Sequence, residues 1–138
     1  IYADDLVNLI DVDAVRYYLL SEMPYTSDGS ITYETIIERF NSDLANTLGN
    51  LVNRTLLFIN RNYDGKIPAG KKDDALWESV LEKEKKATEL LEWAELKDAL
   101  HTILEISDLC NKAFQDAEPW KAIKENKFCC KIFKFCRK

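Results

Sequence analysis

Residues 33–62 read YETIIERFNSDLANTLGNLVNRTLLFINRN, and this run decides the fold. Ile37, Phe40, Leu44, Leu48, Leu51, Phe58 and Ile59 recur mostly in steps of three or four, with Thr55 filling the gap. That spacing predicts one long helix from about Tyr33 to Asn62 with a single buried stripe. Thr32 reads as its N-cap, with Glu34 in the first turn. The other faces are unusual. Asn41, Asn46, Asn50, Asn53, Asn60 and Asn62 fall within 22 residues. Asparagine costs a helix interior roughly 0.5 kcal/mol relative to alanine, and a plainly solvated face more naturally carries Glu, Lys or Gln. Asn46, Asn50 and Arg54 stand at i, i+4 and i+8, so they form one row, which Ser42 extends by a turn. An amide offers donors and an acceptor, and a guanidinium offers a rigid fork and a flat face. Such a row suits the edges of exposed nucleotides. It equally suits hydrogen bonds between helices inside a bundle.

Working outward, the N-terminal part shows a short apolar turn, Leu6 to Ile10. A helical pattern over Ala14–Glu22 follows, led in by Val12 and Asp13. Met23-Pro24 ends it, because the residue before a proline is pushed out of the helical region. Residues 26–30 form a turn cluster. Beyond the long helix, Tyr63-Asp64-Gly65 and Ile67-Pro68-Ala69-Gly70 read as an exit loop. A helix is expected from about Asp73 to Leu91, burying Leu76, Trp77, Val80, Leu81, Ala87, Leu90 and Leu91. Its Lys83, Lys85 and Lys86 alternate with glutamates on a solvated face. Another is expected from about Glu95 to Asp116, burying Leu96, Leu100, Ile103, Ile106 or Ser107, Cys110, Ala113 and Phe114. Pro119 is placed to start a last helix carrying Trp120, since its missing N–H is not needed there. The expected fold class is all-α, an antiparallel helical bundle.

Composition agrees. In 138 residues, 46% are hydrophobic and 31% charged, which suits one domain with a core rather than a disordered chain. Four glycines and three prolines are too few for a sandwich rich in tight turns. No stretch approaches the roughly 20 apolar residues of a membrane span, and residues 1–5 carry no basic signal region. The net charge of −5 hides an asymmetry. Residues 124–138 hold six basic residues and one acid, so the first 123 carry 13 basic against 23 acidic. Bulk charge in that body does not attract nucleic acid, so any such contact must be local.

Conventional catalytic patterns are missing from the sequence. It has no G-x-S-x-G, no phosphate-binding glycine loop, no H-E-x-x-H and no C-x-x-C. Cys110 reads as a small core residue and His101 as a helix-surface residue. The CC-x5-C spacing of Cys129, Cys130 and Cys136 is not a zinc framework. Asp4-Asp5 and Asp73-Asp74 suit helix starts, where they complement the dipole. Trp120 can stack on an unpaired base or serve as a staple in the core.

Taken together, these segments resemble class I methionyl-tRNA synthetases. Asp13-Ala14-Val15-Arg16-Tyr17-Tyr18-Leu19-Leu20 and the Asp28-Gly29 turn are similar to the family's segment just after the catalytic domain. Arg39-Phe40-Asn41-Ser42-Asp43-Leu44-Ala45-Asn46-Thr47-Leu48-Gly49-Asn50-Leu51-Val52-Asn53-Arg54 resembles its first long anticodon-domain helix. Asp116-Ala117-Glu118-Pro119-Trp120-Lys121 resembles the segment presenting a tryptophan to the anticodon. The resemblance covers about residues 1–126 and rests on separate motifs in the right order.

It implies an anticodon-binding domain of class I aminoacyl-tRNA synthetases. Residues 1–32 would be a stem-contact or linker segment, 33–126 the bundle, and 127–138 an atypical basic, cysteine-rich tail. It implies anticodon-binding roles for Asn50 and Arg54, with Asn46 beside them, and for Trp120, positioned by Pro119. The implied partners are the anticodon loop of tRNA(Met), with its CAU triplet, and the parent's catalytic domain. The implied setting is the cytoplasm. ATP is implied for the parent ligase, and no cofactor or metal for these residues. The HIGH-type and KMSKS-type signatures are absent from the sequence, so no catalytic residue is expected and the chain alone is expected to be inactive. The alternative is a helical interaction or scaffold domain without an RNA role.

Overall fold

The computed structural model describes residues 2–24, 26–67 and 73–124, with the side chains of Ala3, Ala122 and Lys124 left aside. The Pro68–Gly70 part of the exit loop, the last residues expected in the final helix and the tail 127–138 lie outside these residues. All regular structure among them is helical: α1 (Ala3–Leu9), α2 (Val12–Glu22), α3 (Tyr33–Arg39), a π segment (Phe40–Gly49), α4 (Asn50–Tyr63), α5 (Asp74–Glu92), α6 (Leu96–Asp116) and α7 (Pro119–Lys124). The expected all-α bundle is present. α6 is its centre, packing on α5, on α2, on the π segment and on α4.

Local chemistry sets the ends. The Thr32 hydroxyl accepts from the Thr35 amide at 3.2 Å and the Thr35 hydroxyl accepts from the Thr32 amide at 3.2 Å, a reciprocal cap that satisfies two otherwise unpaired donors. The Asp11 carboxylate caps α2 through the Asp13 amide at 2.9 Å, and Asp73 caps α5 through the Leu76 amide at 3.2 Å. α2 stops at Met23, in extended backbone before Pro24. α4 stops where Asp64 and Gly65 take positive φ of 51° and 74°. Pro119 opens α7 as expected and is fully buried.

Two apolar clusters sit at opposite ends of the long element formed by α3, the π segment and α4. Leu6, Val15, Tyr18 and Ile36 form the first, with Ile10, Met23, Ile31 and Phe40 against them. Ile59 and Phe114 form the second, with Phe58, Tyr63 and Trp120 against them. The long element thus ties the two cores together.

The expected stripe needs correction. The helix is continuous but not uniformly α. A π turn takes about one residue more than an α turn, so Phe40–Gly49 does not keep 3.6-residue faces. Ile36 is 2% exposed whereas Ile37 is 56% exposed, Leu48 is 43% exposed, and Asp43 is buried on the inner side. Gly49 closes the π segment. A Cβ there would lie 2.9 Å from the carbonyl oxygen of Leu44.

Similar corrections hold elsewhere. Leu81 and Leu91 on α5 and Ile103 on α6 are exposed, while Ala99, Thr102 and Ser107 are buried with Phe114. Lys83, expected on a free solvated face, bonds to the Glu105 carboxylate across the α5–α6 interface at 2.5 Å. His101 is exposed and Cys110 is half-buried.

Candidate nucleic-acid interface

Of the side chains singled out in sequence, Arg54 and Trp120 come together at the second cluster. Arg54 lies in the first half of α4, half-buried, and its Nη2 donates to the Gln115 side-chain oxygen on α6 at 2.8 Å. Its guanidinium carbon stands 5.2 Å from the centroid of the Phe114 ring. Phe114 in turn meets the half-buried Trp120 on α7, with ring centroids 6.2 Å apart and tilted by 50°. Phe58 completes the aromatic group, edge-on to Phe114 at 5.7 Å. A groove of about 500 Å³ opens beside these rings. α4 contributes Arg54, Leu57, Arg61 and Asn62 to it, and α7 contributes Trp120 and Ile123.

The indole follows directly on the buried Pro119 that opens α7. The short link between α6 and α7 passes through Glu118 in the left-handed region, φ 40°, then enters the buried Pro119. A non-glycine residue there costs roughly 1–2 kcal/mol, so the packing around Pro119 must hold it. The result is a tryptophan placed against Phe114 rather than continuing the line of α6.

The groove has a definite electrostatic character. Two guanidiniums, Arg54 and Arg61, line it, Arg54 over the Phe114 face, and no carboxylate lines the groove among the described residues. A local cationic, aromatic surface inside an acidic body suits a ligand with flat rings and carbonyl or phosphate oxygens.

Asn46 and Asn50 are exposed and lie outside the groove's lining. Asn50 is one α turn before Arg54, on the same face, so the two remain neighbours. Asn46 lies within the π segment, where the regular row no longer applies. Sequence reasoning missed Arg61, Phe58 and Phe114 as groove residues. Arg61 carried a usable signal, since it stands seven residues after Arg54 and so shares its face. The two phenylalanines read as ordinary core positions and carried none.

At the other end of the long element, a polar network anchors the π segment to α2. The Tyr17 hydroxyl donates to Asp43 Oδ2 at 2.8 Å, and Arg39 Nη1 approaches the same oxygen at 3.5 Å. The second fork of Arg39 bonds to Glu22. Burial first, then the hydrogen bond to ionised Asp43, push the Tyr17 hydroxyl well above the ordinary tyrosine range. No group of three or more His, Cys, Asp or Glu residues able to hold a metal occurs among the described residues. No helix among them is long and apolar enough to cross a membrane.

Residues 1–56 match the family model for tRNA synthetases class I (M). The methionine–tRNA ligase of Treponema denticola is 44% identical over 123 residues, 81% of this chain and 16% of that protein. The methionine–tRNA ligase of Methanopyrus kandleri is 34% identical over 137 residues, 99% of this chain and 20% of that protein. In shape, free Mycobacterium tuberculosis methionyl-tRNA synthetase superposes with a TM-score of 0.83 at 32% identity, covering 96% of this chain and 28% of that one. The form bound by methionyl-adenylate gives 0.81 at 33% identity, covering 93% and 26%. The helical arrangement is therefore that of a class I aminoacyl-tRNA synthetase region. Within that class, the chain is homologous to a stretch of methionyl-tRNA synthetase. It spans only about a fifth or less of the length of the curated relatives it matches.

Proposed function

We propose that this chain is the anticodon-reading part of a methionine–tRNA ligase, binding the CAU loop of tRNA(Met). The single observation that supports it best is the convergence of Arg54 and Trp120, 66 positions apart in sequence, on one open groove. Trp120 offers an indole for stacking, and Arg54 and Asn50 offer donors for base edges. Pro119 orients the indole, and Asn46 is a flanking contact. Anticodon bases are single-stranded, so they can be splayed out, stacked and hydrogen-bonded on their pairing edges. Such readout needs few cations, which suits an acidic body.

Residues 1–32 form the connection toward the catalytic part, and 33–126 form the reading bundle. The parent ligase joins methionine to tRNA with ATP in the cytoplasm, and its catalytic domain supplies the chemistry that these residues lack.

The test is binding of stem-loops by the 138-residue chain, followed by fluorescence. The chain holds three tryptophans, so the signal is assigned by comparison with Trp120→Phe. A CAU loop should change Trp120 emission, and a mismatched loop should do so much less. Trp120→Ala should weaken CAU binding by roughly 1–3 kcal/mol. Arg54→Ala should weaken it without unfolding the chain. Equal affinity for both loops would leave a helical scaffold domain as the better reading.

A further inference from the structure

The π segment raises a question that the groove does not answer: what holds Asn50 and Arg54 at a fixed height and rotation. Two residues one turn apart on α6, Asn111 and Gln115, hold two points about two turns apart on the long element, Thr47 and Arg54. Gln115 takes the guanidinium of Arg54 at 2.8 Å. Asn111, half-buried, donates from Nδ2 to the carbonyl of Thr47 at 3.0 Å. That carbonyl also accepts from the backbone N–H of Asn50. One oxygen therefore joins the Asn111 side chain to the main chain of the residue at which the π segment becomes α4. The Thr47 hydroxyl, donating to the Ser42 carbonyl at 3.1 Å, satisfies a second acceptor in the same stretch.

We infer that Asn111 is a positioning residue for base readout: by clamping the Thr47 carbonyl, it fixes where the π segment ends and so where Asn50 stands relative to Arg54 and Trp120. This rests on the anticodon-reading proposal. The physical reasoning is direct. A π stretch is a rare, locally underwound solution that returns to α geometry when the extra residue leaves its turn. Where the ladder changes from π to α, a carbonyl has a lone pair free for a partner from another element. Asn111 supplies one from a neighbouring helix, 64 positions away. Lose that donor, and the π-to-α junction can migrate, rotating Asn50 while Arg54 stays held by Gln115 and Phe114. Affinity for the matched triplet then falls because the two reading groups no longer act together.

The experiment uses the full chain with Asn111→Ala and, as a variant of equal size, Asn111→Asp, whose ionised carboxylate cannot donate. Binding to CAU and mismatched stem-loops is measured where urea titration shows each variant folded, together with amide exchange at Asn50. Affinity for the CAU loop should drop about five- to tenfold with the mismatched loop nearly unchanged, the range of a single lost hydrogen bond. Exchange at the Asn50 amide should quicken in both variants. A merely structural role would weaken both loops equally and overturn the inference, as would unchanged discrimination in a folded variant. If the unsubstituted chain fails to discriminate, the anticodon reading fails, and so does the readout role of Asn111. Unchanged Asn50 exchange would also overturn the clamp, whatever the loops do.

Discussion

Replacing Gly49 with alanine should destabilise this protein, against the usual rule for helices. In an ordinary helix interior, glycine to alanine gains about 0.5–1 kcal/mol by lowering the entropy of the unfolded chain and raising helix propensity. Gly49 has φ of −62°, so its backbone suits any residue, and the ordinary gain would be expected. The obstacle is steric. The added Cβ would sit 2.9 Å from the Leu44 carbonyl oxygen. That oxygen belongs to the backbone, so relief requires the chain itself to shift. Forcing an extra methyl into packed structure typically costs about 1–3 kcal/mol. Set against the propensity gain, the net loss has a central value of about 1 kcal/mol and an upper bound of about 2.5 kcal/mol. For a domain of this size, the central value corresponds to a melting temperature lower by roughly 2–7 °C. Thermal unfolding followed by far-ultraviolet circular dichroism measures it. A variant melting above the parent would refute the reasoning, because it would mean that the π segment relaxes to α geometry without loss.

Tyr17→Phe should lower stability by about 1–3 kcal/mol near neutral pH, because buried Asp43 keeps only the longer contact with Arg39. Urea midpoints check it, and an unchanged midpoint would count against the network. The same pair has a predicted alkaline signature. Tyr17 ionises near pH 10 when unfolded and higher when folded, so its contribution is full below that value. It then declines as pH rises toward the folded value, narrowing the gap between parent and variant. On the acid side, the hydrogen bond from Lys83 holds the Glu105 carboxyl below the usual glutamate range. Its contribution is present above the unfolded value and lost as pH falls through the folded one. Lys83→Ala should therefore cost more at pH 7 than at pH 3, though less than about 1 kcal/mol because the pair is partly solvated.

The element boundaries were legible because they depend on residues close in sequence. Thr32 with Thr35, Asp73 with Leu76, Met23 before Pro24, and Pro119 at a helix start each involve only a few positions. The convergence of Arg54 and Trp120 was expected for another reason: their motifs resemble those of a family whose homology the comparisons show. Which face each helix buries was much less legible. Ile36 and Ile37 are adjacent and equally apolar, and only the rotation set by α2 and the π segment distinguishes them.

Sequence alone therefore showed that this chain is helical, where α2, α5, α6 and α7 begin, and which residues carry recognisable chemistry, whereas α1 (Ala3–Leu9) read only as an apolar turn and the π segment went unread. Tertiary structure decided the rest. It placed Phe114 under Arg54 and beside Trp120, turned Asp43 inward against Tyr17, and buried Ala99 and Thr102 rather than Ile103 on α6. The physical reason is the range of the forces involved. Caps and propensities act within a turn, whereas rotation about a helix axis is fixed only by contacts with other helices, here through partners more than 60 positions away.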